Sequence, residues 1–271
     1  MDEPNATFAV DAERLSALGV GEEDALTPLD GVDNAEVLAR AAELNAAYRD
    51  ASPADVLRAA LDAFPGRIAL VSSFGAESAV LLHMAARVDP SVTVLFIDTG
   101  LLFGQTLDYR RQLSKQLGLA DVCVLTPSPE DNATLDPMNV LWKSDTDACC
   151  GFRKVAPLDR VVAGYDAWIT GRKRFHGGDR LRLPVFEAVD GQVKVNPLAN
   201  MSKAALDAYA VEHELPPHPL VAQGYPSLGC WPCTSPVADG ADVRAGRWAG
   251  SEKTECGIHV ARAKPARPRA F

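Results

Sequence analysis

Apolar residues along this chain recur at two different spacings, and the change from one to the other outlines the elements. Val56, Leu57, Ala60, Leu61 and Phe64 repeat at helical intervals until Pro65-Gly66 stops them. Short unbroken apolar runs follow, at Ile68–Val71, Val92–Ile97, Val122–Leu125 and Ala167–Thr170, each of a length that suits a buried strand. Helical patterns separate the first three, over Ala79–Arg87 and Gln105–Leu117. Strands without polar alternation, interleaved with amphipathic helices, predict an α/β fold: a parallel sheet covered by helices on both faces. Right-handed crossovers then bring the loops after the strands to one edge.

Upstream of this pattern the chain is rich in Ala, Glu and Asp, with one helical stretch near Ala35–Tyr48 that ends before Pro53. Residues 1–52 therefore read as a peripheral helical arm, poorly ordered over its first ~30 residues. Residues 53–235 read as the α/β domain and 236–271 as a C-terminal tail. Composition narrows the setting: 271 residues, 47% of them hydrophobic, bury one substantial core. No apolar run approaches the roughly 18–20 residues that cross a bilayer, and Met1-Asp2-Glu3-Pro4 is acidic where a secretory leader is basic. A cytoplasmic protein without membrane contact is expected. The net charge of −9 argues against nucleic acid as a partner. The tail reverses that sign: Arg244, Arg247, Lys253, Arg262, Lys264, Arg267 and Arg269 face only Asp242, Glu252 and Glu255. Such a stretch is either a solvated surface or a cover for a small anion.

Five of six cysteines change the picture further. Cys149-Cys150 is an adjacent pair, Cys230-Trp-Pro-Cys233 a Cys-x-x-Cys, and Cys256 lies alone in Glu255-Cys256-Gly257-Ile258-His259. In a reducing compartment, clustered thiols are metal ligands or catalysts more often than disulfides. Four thiolates suit zinc or an iron–sulfur cluster. Adjacent side chains diverge, so an iron–sulfur cubane with separate corners accommodates Cys149-Cys150 better than one small ion. A redox dithiol at Cys230–Cys233 is the third alternative, but it leaves the other pair unexplained. Cys256, among arginines and lysines, is the candidate nucleophile. Cys123, inside the third apolar run, reads as a small core hydrophobe.

Ser72-Ser73-Phe74-Gly75-Ala76-Glu77-Ser78 falls between a strand and a helix, where backbone N–H groups meet anions. Gly75 allows close backbone approach, and Ser78 is a candidate helix cap. The loop matches neither the triphosphate nor the dinucleotide glycine fingerprint, and by itself it equally describes an ordinary turn.

Taken in series, however, the motifs are specific. Ser72–Ser78, Phe96-Ile97-Asp98-Thr99-Gly100-Leu101-Leu102-Phe103 and Cys149-Cys150-Gly-Phe-Arg-Lys154-Val-Ala-Pro157-Leu158 come first. Thr170-Gly171-Arg172-Lys173-Arg174, Cys230-Trp-Pro-Cys233, Arg244-Ala-Gly-Arg247-Trp248 and Lys253-Thr-Glu-Cys256-Gly-Ile-His259 follow in order. This series, over about residues 60–260, resembles the sulfonucleotide reductases, a branch of the adenine-nucleotide α-hydrolase-like proteins with a modified PP-loop. Within them it looks most like the assimilatory adenylyl-sulfate reductases. The chain departs from many relatives at Arg172–Arg180, where His176 replaces a position often held by Gln.

The resemblance implies a Rossmann-like parallel sheet and thioredoxin- or glutaredoxin-dependent reduction of adenylyl sulfate to sulfite and AMP, for sulfate assimilation and cysteine biosynthesis. It implies Cys256 as the nucleophile that becomes S-sulfocysteine, and a 4Fe–4S cluster on Cys149, Cys150, Cys230 and Cys233. It assigns substrate binding to Ser72, Ser73, Phe74, Gly75, Glu77 and Ser78, to Asp98, Thr99 and Gly100, and to Lys154, Gly171, Arg172, Arg174, Arg244 and Arg247. A surface position remains the plain alternative for Lys154. A homo-oligomer is compatible with all of this. The competing functions are reduction of the 3′-phosphorylated nucleotide, dual specificity, or a nucleotide-binding metal protein without turnover.

Overall fold

The computed structural model describes residues 33–249, Lys253 and residues 255–259; the expectations for residues 1–32 lie outside them. Six strands form one sheet, β1 (Ile68–Ser72), β2 (Val94–Ile97), β3 (Val122–Leu125), β4 (Ala167–Ile169), β5 (Phe186–Val189) and β6 (Gln192–Val195), in the spatial order β3-β2-β1-β4-β6-β5. All neighbours are parallel except β5, which runs antiparallel to β6 at the edge. The helices are α1 (Asp33–Tyr48), α2 (Pro53–Ala63), α3 (Ser78–Val88), α4 (Gly104–Leu117), α5 (Pro129–Leu135), α6 (Leu141–Ser144), α7 (Thr146–Cys150), α8 (Ala156–Val162) and α9 (Lys203–Glu212).

Alternate residues of each central strand serve opposite cores. Ile68, Leu70, Val94, Phe96, Val124, Ala167 and Ile169 meet buried residues of α1, α2, α3, α4 and α9. Ala69, Leu95, Cys123, Leu125 and Trp168 meet Leu158, Val161 and Val162 of α8 on the other face. Burial on both faces is why these strands read as unbroken apolar runs. Cys123 is 2% exposed, in keeping with its reading as a core residue.

Local signals set the helix ends. Ser52 Oγ accepts from Asp55 N ahead of Pro53 at the start of α2. Gly118 closes α4 at φ +64°, in the left-handed region. The start of α3 differs from expectation: Ser78 is its first residue rather than its cap, and Glu77 occupies the cap position without a side-chain capping bond. The Glu77 carboxylate is drawn instead to Lys173 and His176.

The helix of the N-terminal arm is not peripheral. Ala41 and Leu44 of α1 belong to the main core, and Asn45 Oδ1 accepts from the backbone N–H groups of Val185 and Phe186 at 3.0 and 3.1 Å. Strands β5 and β6, absent from the sequence-based expectation, hold this helix. Among the described residues no helix is long and apolar enough to cross a membrane.

Candidate active site

The chain order reverses between β1 and β4, where crevices form at the carboxyl ends of open parallel sheets. The β1–α3 loop borders it. Phe74, fully buried, packs edge-on against Phe96 with ring centroids 5.4 Å apart. Its φ of +47° is costly for a bulky residue, and Phe74 N donates to Ser72 Oγ at 3.2 Å within this turn. Packing below the loop thus sets the backbone path above it.

Beyond this loop lies a cavity of ≈ 230 Å³. Ser72, Ser73, Gly75, Glu77 and Ser78 line one side, Thr99 and Lys154 another, and Gly171 and Arg172 a third. Arg244, Arg247 and Cys256 of the tail complete it. Phe74, Asp98, Gly100 and Arg174 stand outside this lining. Asp98 instead accepts from Gly100 N at 2.9 Å and shapes the turn after β2. Arg174 turns away, donating to the Leu183 carbonyl at 2.8 Å and to Asn200. Arg180, further along the same segment, reaches the cavity beside Arg172 and Lys173.

The cysteines arrive by two routes. Asp145 caps α7 through Ala148 N at 2.8 Å, and Cys149 and Cys150 close that helix, both buried. The chain continues through a π-helical turn, Gly151–Val155, directly into α8. Cys230 is carried across by a bridge to Leu102, with Trp231 N donating to the Leu101 carbonyl at 2.9 Å. Thr99 Oγ1 lies 3.2 Å from Cys230 Sγ. Arg153, 2% exposed, ties the two routes together: it donates to the Thr99 carbonyl at 2.9 Å, to Asp136 at 2.9 Å and to Asn139 at 2.8 Å. Sequence reasoning passed over both Arg153 and Asp136.

The thiols sense one another. Burial, reinforced by Cys150, Cys230 and Cys233, pushes the Cys149 thiol up to about 11. Burial likewise raises Cys150, aided by Cys256 and Cys230, and raises Cys233, aided by Cys230 and Cys150. Among the described residues no three His, Cys, Asp or Glu side chains stand close enough to hold a single metal ion. The four cysteines nonetheless lie near enough for their charges to act on one another.

The Cys230–Cys233 segment also carries the tail. Ser235 N donates to the Gly246 carbonyl at 2.8 Å and Trp248 N to the Cys233 carbonyl at 3.0 Å, so Arg244 and Arg247 are pinned beside the cysteines. Arg247 lies against Gly229, where any Cβ would collide with the guanidinium, and donates to the Leu228 carbonyl at 2.7 Å. Its guanidinium also sits 4.5 Å from the Trp248 ring centre. Burial depresses this arginine, while the nearby Cys256, Cys230 and Cys233 side chains oppose that effect. Lys154 goes the other way. Burial alone would lower its ammonium, but the nearby Cys230, Cys256 and Cys150 side chains outweigh it and raise it.

On the opposite wall runs a chain of ionic contacts. Lys173 Nζ donates to Glu77 at 2.8 Å, and His176 Nε2 stands 3.0 Å from the same oxygen. Arg180 meets His176 Nδ1 at 3.0 Å and grips Glu255 at 2.6 and 2.9 Å. Arg172 pairs with Glu187. His259, left out of the catalytic set on sequence grounds, lines the cavity with its ring stacked on Trp168. Burial and then Arg172 and Lys194 hold it well below the ordinary histidine value, so it is neutral there. For Glu77, Lys173, Glu255 and His259 the signal is their position in the quoted motifs; Glu187 lies outside those motifs, and the pairing of all these residues crosses the fold and leaves no local trace.

A nucleotide-type α/β edge, a loop of the PP-loop kind and a cation-flanked cysteine together define a sulfonucleotide-handling α/β protein. Comparison with known proteins agrees. The family described as phosphoadenosine phosphosulfate reductase domain matches residues 67–236. A protein of Mesorhizobium japonicum named adenosine 5′-phosphosulfate reductase is 50% identical over 236 residues, 86% of this chain and 93% of that protein. One of Gloeobacter violaceus, named phosphoadenosine 5′-phosphosulfate reductase, is 41% identical over 79% of this chain and 90% of its own length. The crystal structure of phosphoadenylyl-sulfate reductase from Candida auris superposes with a TM-score of 0.61 at 32% identity, over 73% of this chain and 96% of that one. The chain belongs to the phosphoadenosine phosphosulfate reductase family.

Proposed function

We propose that this protein reduces adenylyl sulfate to sulfite and AMP, a step of sulfate assimilation leading to cysteine. The observation that carries the proposal is the placement of Cys256 on the wall of the nucleotide cavity together with Lys154 and Arg247. The names of relatives from Mesorhizobium japonicum and Streptomyces coelicolor support the same substrate. In this reading the nucleotide lies along the β1–α3 loop and the phosphosulfate meets Lys154, Arg244 and Arg247. Cys256 thiolate attacks the sulfate sulfur, the S–O bond to phosphate breaks, and AMP departs with the electron pair. Cationic side chains stabilise the charge developing on phosphate. The product on the enzyme is S-sulfocysteine. A thioredoxin- or glutaredoxin-type thiolate then attacks Cys256 Sγ and expels sulfite, and the reductant's second thiol resolves the mixed disulfide. Two thiols are oxidised to one disulfide, which balances reduction of sulfate to sulfite. A reduced cytoplasm is the compartment that supplies such thiols.

We further propose that Cys149, Cys150, Cys230 and Cys233 hold a 4Fe–4S cluster. Four cysteines brought by two routes of the chain, close enough for their charges to act on one another, support a cubane whose separate corners accommodate the adjacent pair. Bound there, the cluster would supply fixed charge and rigid anchoring beside Lys154.

Absence of a 3′-phosphate on the preferred substrate is supported by the wall at Arg172–Arg180. Arg172, Lys173 and Arg180 are each matched by a carboxylate of this chain, Glu187, Glu77 and Glu255. An added phosphate there would need a charge partner that is already engaged.

The test is direct. Incubation with adenylyl sulfate and no reductant should add one sulfonate, mapped to Cys256, and reduced thioredoxin should discharge it as sulfite. Cys256→Ser should still bind nucleotide and lose turnover. An active Cys256→Ser protein, or an adduct on Cys123, would overturn the mechanism.

A further inference from the structure

We infer that Glu255 is a positioning residue: gripped by both prongs of Arg180, its carboxylate seats Cys256 against the cavity, and His176 links that grip to Glu77 of the β1–α3 loop. The inference deepens the proposed reaction and rests on it. Arg180 Nε donates to Glu255 Oε1 at 2.6 Å and Nη2 donates to Oε2 at 2.9 Å, with Arg244 a further 3.6 Å from Oε1. Two parallel bonds fix orientation as well as distance, which one point charge does not. Both partners are largely buried, at 10% and 17% side-chain exposure. They lie 75 residues apart in sequence, and Glu255 is directly bonded to the nucleophile's residue. A short 3₁₀ turn, Gly257–His259, follows at once and closes with His259 N donating to the Cys256 carbonyl at 2.9 Å.

The link to the loop has a definite direction. An arginine has no acceptor, so the Arg180 Nη1 contact at 3.0 Å makes His176 Nδ1 the acceptor. The His176 proton is then on Nε2, from which it is donated to Glu77 at 3.0 Å. Glu77 accepts in addition from Lys173 at 2.8 Å. The seat of the nucleophile and the nucleotide loop are thereby joined through one side chain, and a shift of either is felt by the other.

The experiment uses the full-length, anaerobically purified protein and two readouts. The first is the rate at which iodoacetamide alkylates Cys256 without substrate, followed by peptide mapping; this reads how often the segment leaves its seat. The second is the single-turnover rate of Cys256 sulfonation at saturating adenylyl sulfate. Arg180→Met and Glu255→Gln should each speed alkylation at least about tenfold, the scale of losing one charged, partly buried hydrogen-bonded contact, and slow sulfonation by a similar factor. Arg180→Lys keeps the charge without the fork and should move both readouts the same way, to a smaller extent. A purely electrostatic role predicts otherwise: removing the Arg180 cation disfavours the thiolate, so Arg180→Met would slow alkylation and Arg180→Lys would match wild type. Either result overturns the inference, as does wild-type behaviour of Glu255→Gln in both readouts. If Arg180→Met fails to fold, the Arg180→Lys and Glu255→Gln pair still decides. Should the wild-type protein form no sulfonate at all, the proposed reaction fails, while the alkylation rates still report on the seat.

Discussion

Replacing Glu77 with Gln isolates what the nucleotide loop owes to one carboxylate. Glu77 accepts from Lys173 at 2.8 Å and stands 3.0 Å from His176 Nε2. Burial by itself would raise this carboxyl. The hydrogen bond from His176 and the charge of Lys173 reverse that and bring it from the ordinary 4.5 down to about 2. At 1.36 kcal/mol per pKa unit, that drop corresponds to roughly 3 kcal/mol. Lys173 is only 5% exposed on its side chain, so little is screened away, and separating a buried pair typically costs about 3–5 kcal/mol. Glu77→Gln keeps the shape and one hydrogen bond, so about 2–3 kcal/mol of destabilisation is expected at neutral pH. The folded-state value lies below the unfolded one. The contribution is therefore complete above the unfolded pKa and is lost as pH falls toward the folded one, with about 2 kcal/mol gone near pH 3. Urea unfolding of wild type and variant, followed by circular dichroism at neutral and acid pH, measures both quantities, provided the m-values agree. A variant within about 0.5 kcal/mol of wild type at neutral pH, inside the range of ordinary surface changes, would refute this account of the loop. So would a gap that widens on acidification.

The remaining expectations concern the cysteines, the tail and the substrate. Anaerobically purified protein should be brown with about four irons per chain, and Cys150→Ser or Cys230→Ser should lose both; stoichiometric zinc without acid-labile sulfide would exclude the cluster. Arg247→Ala should slow Cys256 sulfonation at least roughly tenfold, the scale of one charged transition-state contact, without removing iron. Steady-state comparison should give a higher kcat/KM for adenylyl sulfate than for its 3′-phosphorylated form, and a reversed preference would move the assignment to the other substrate.

Much of the sheet was legible because strands buried on both faces carry their signature in consecutive residues: Ile68–Val71 and Val122–Leu125 coincide with β1 and β3 to within a residue. The edge hairpin was not. Glu187 and Lys194 interrupt its apolar pattern, although Lys194 is 1% exposed and lies 4.3 Å from the Trp168 ring centre. A cation sheltered by an aromatic face looks, in sequence, like a surface residue. With that hairpin unseen, the partner of α1 was unseen too, and the helix read as an arm standing apart.

For the site, the sequence by itself determined the inventory: the loop at Ser72–Ser78, the two cysteine pairs, Lys154, the tail arginines and Cys256. Their spacing is local and survives as motif. Tertiary structure alone decided which members meet and which cations keep an outward charge. Arg174 and Arg180 are equivalent as letters in a basic stretch. The 3₁₀ turns at Arg174–His176 and Gly178–Arg182 send the first to Leu183 and Asn200 and the second to Glu255. Arg247 reaches the Leu228 carbonyl because Gly229 has no side chain to block it. An ion pair spanning 75 residues, such as Arg180–Glu255, depends on how two loops close over one sheet edge, and no short-range propensity encodes that closure.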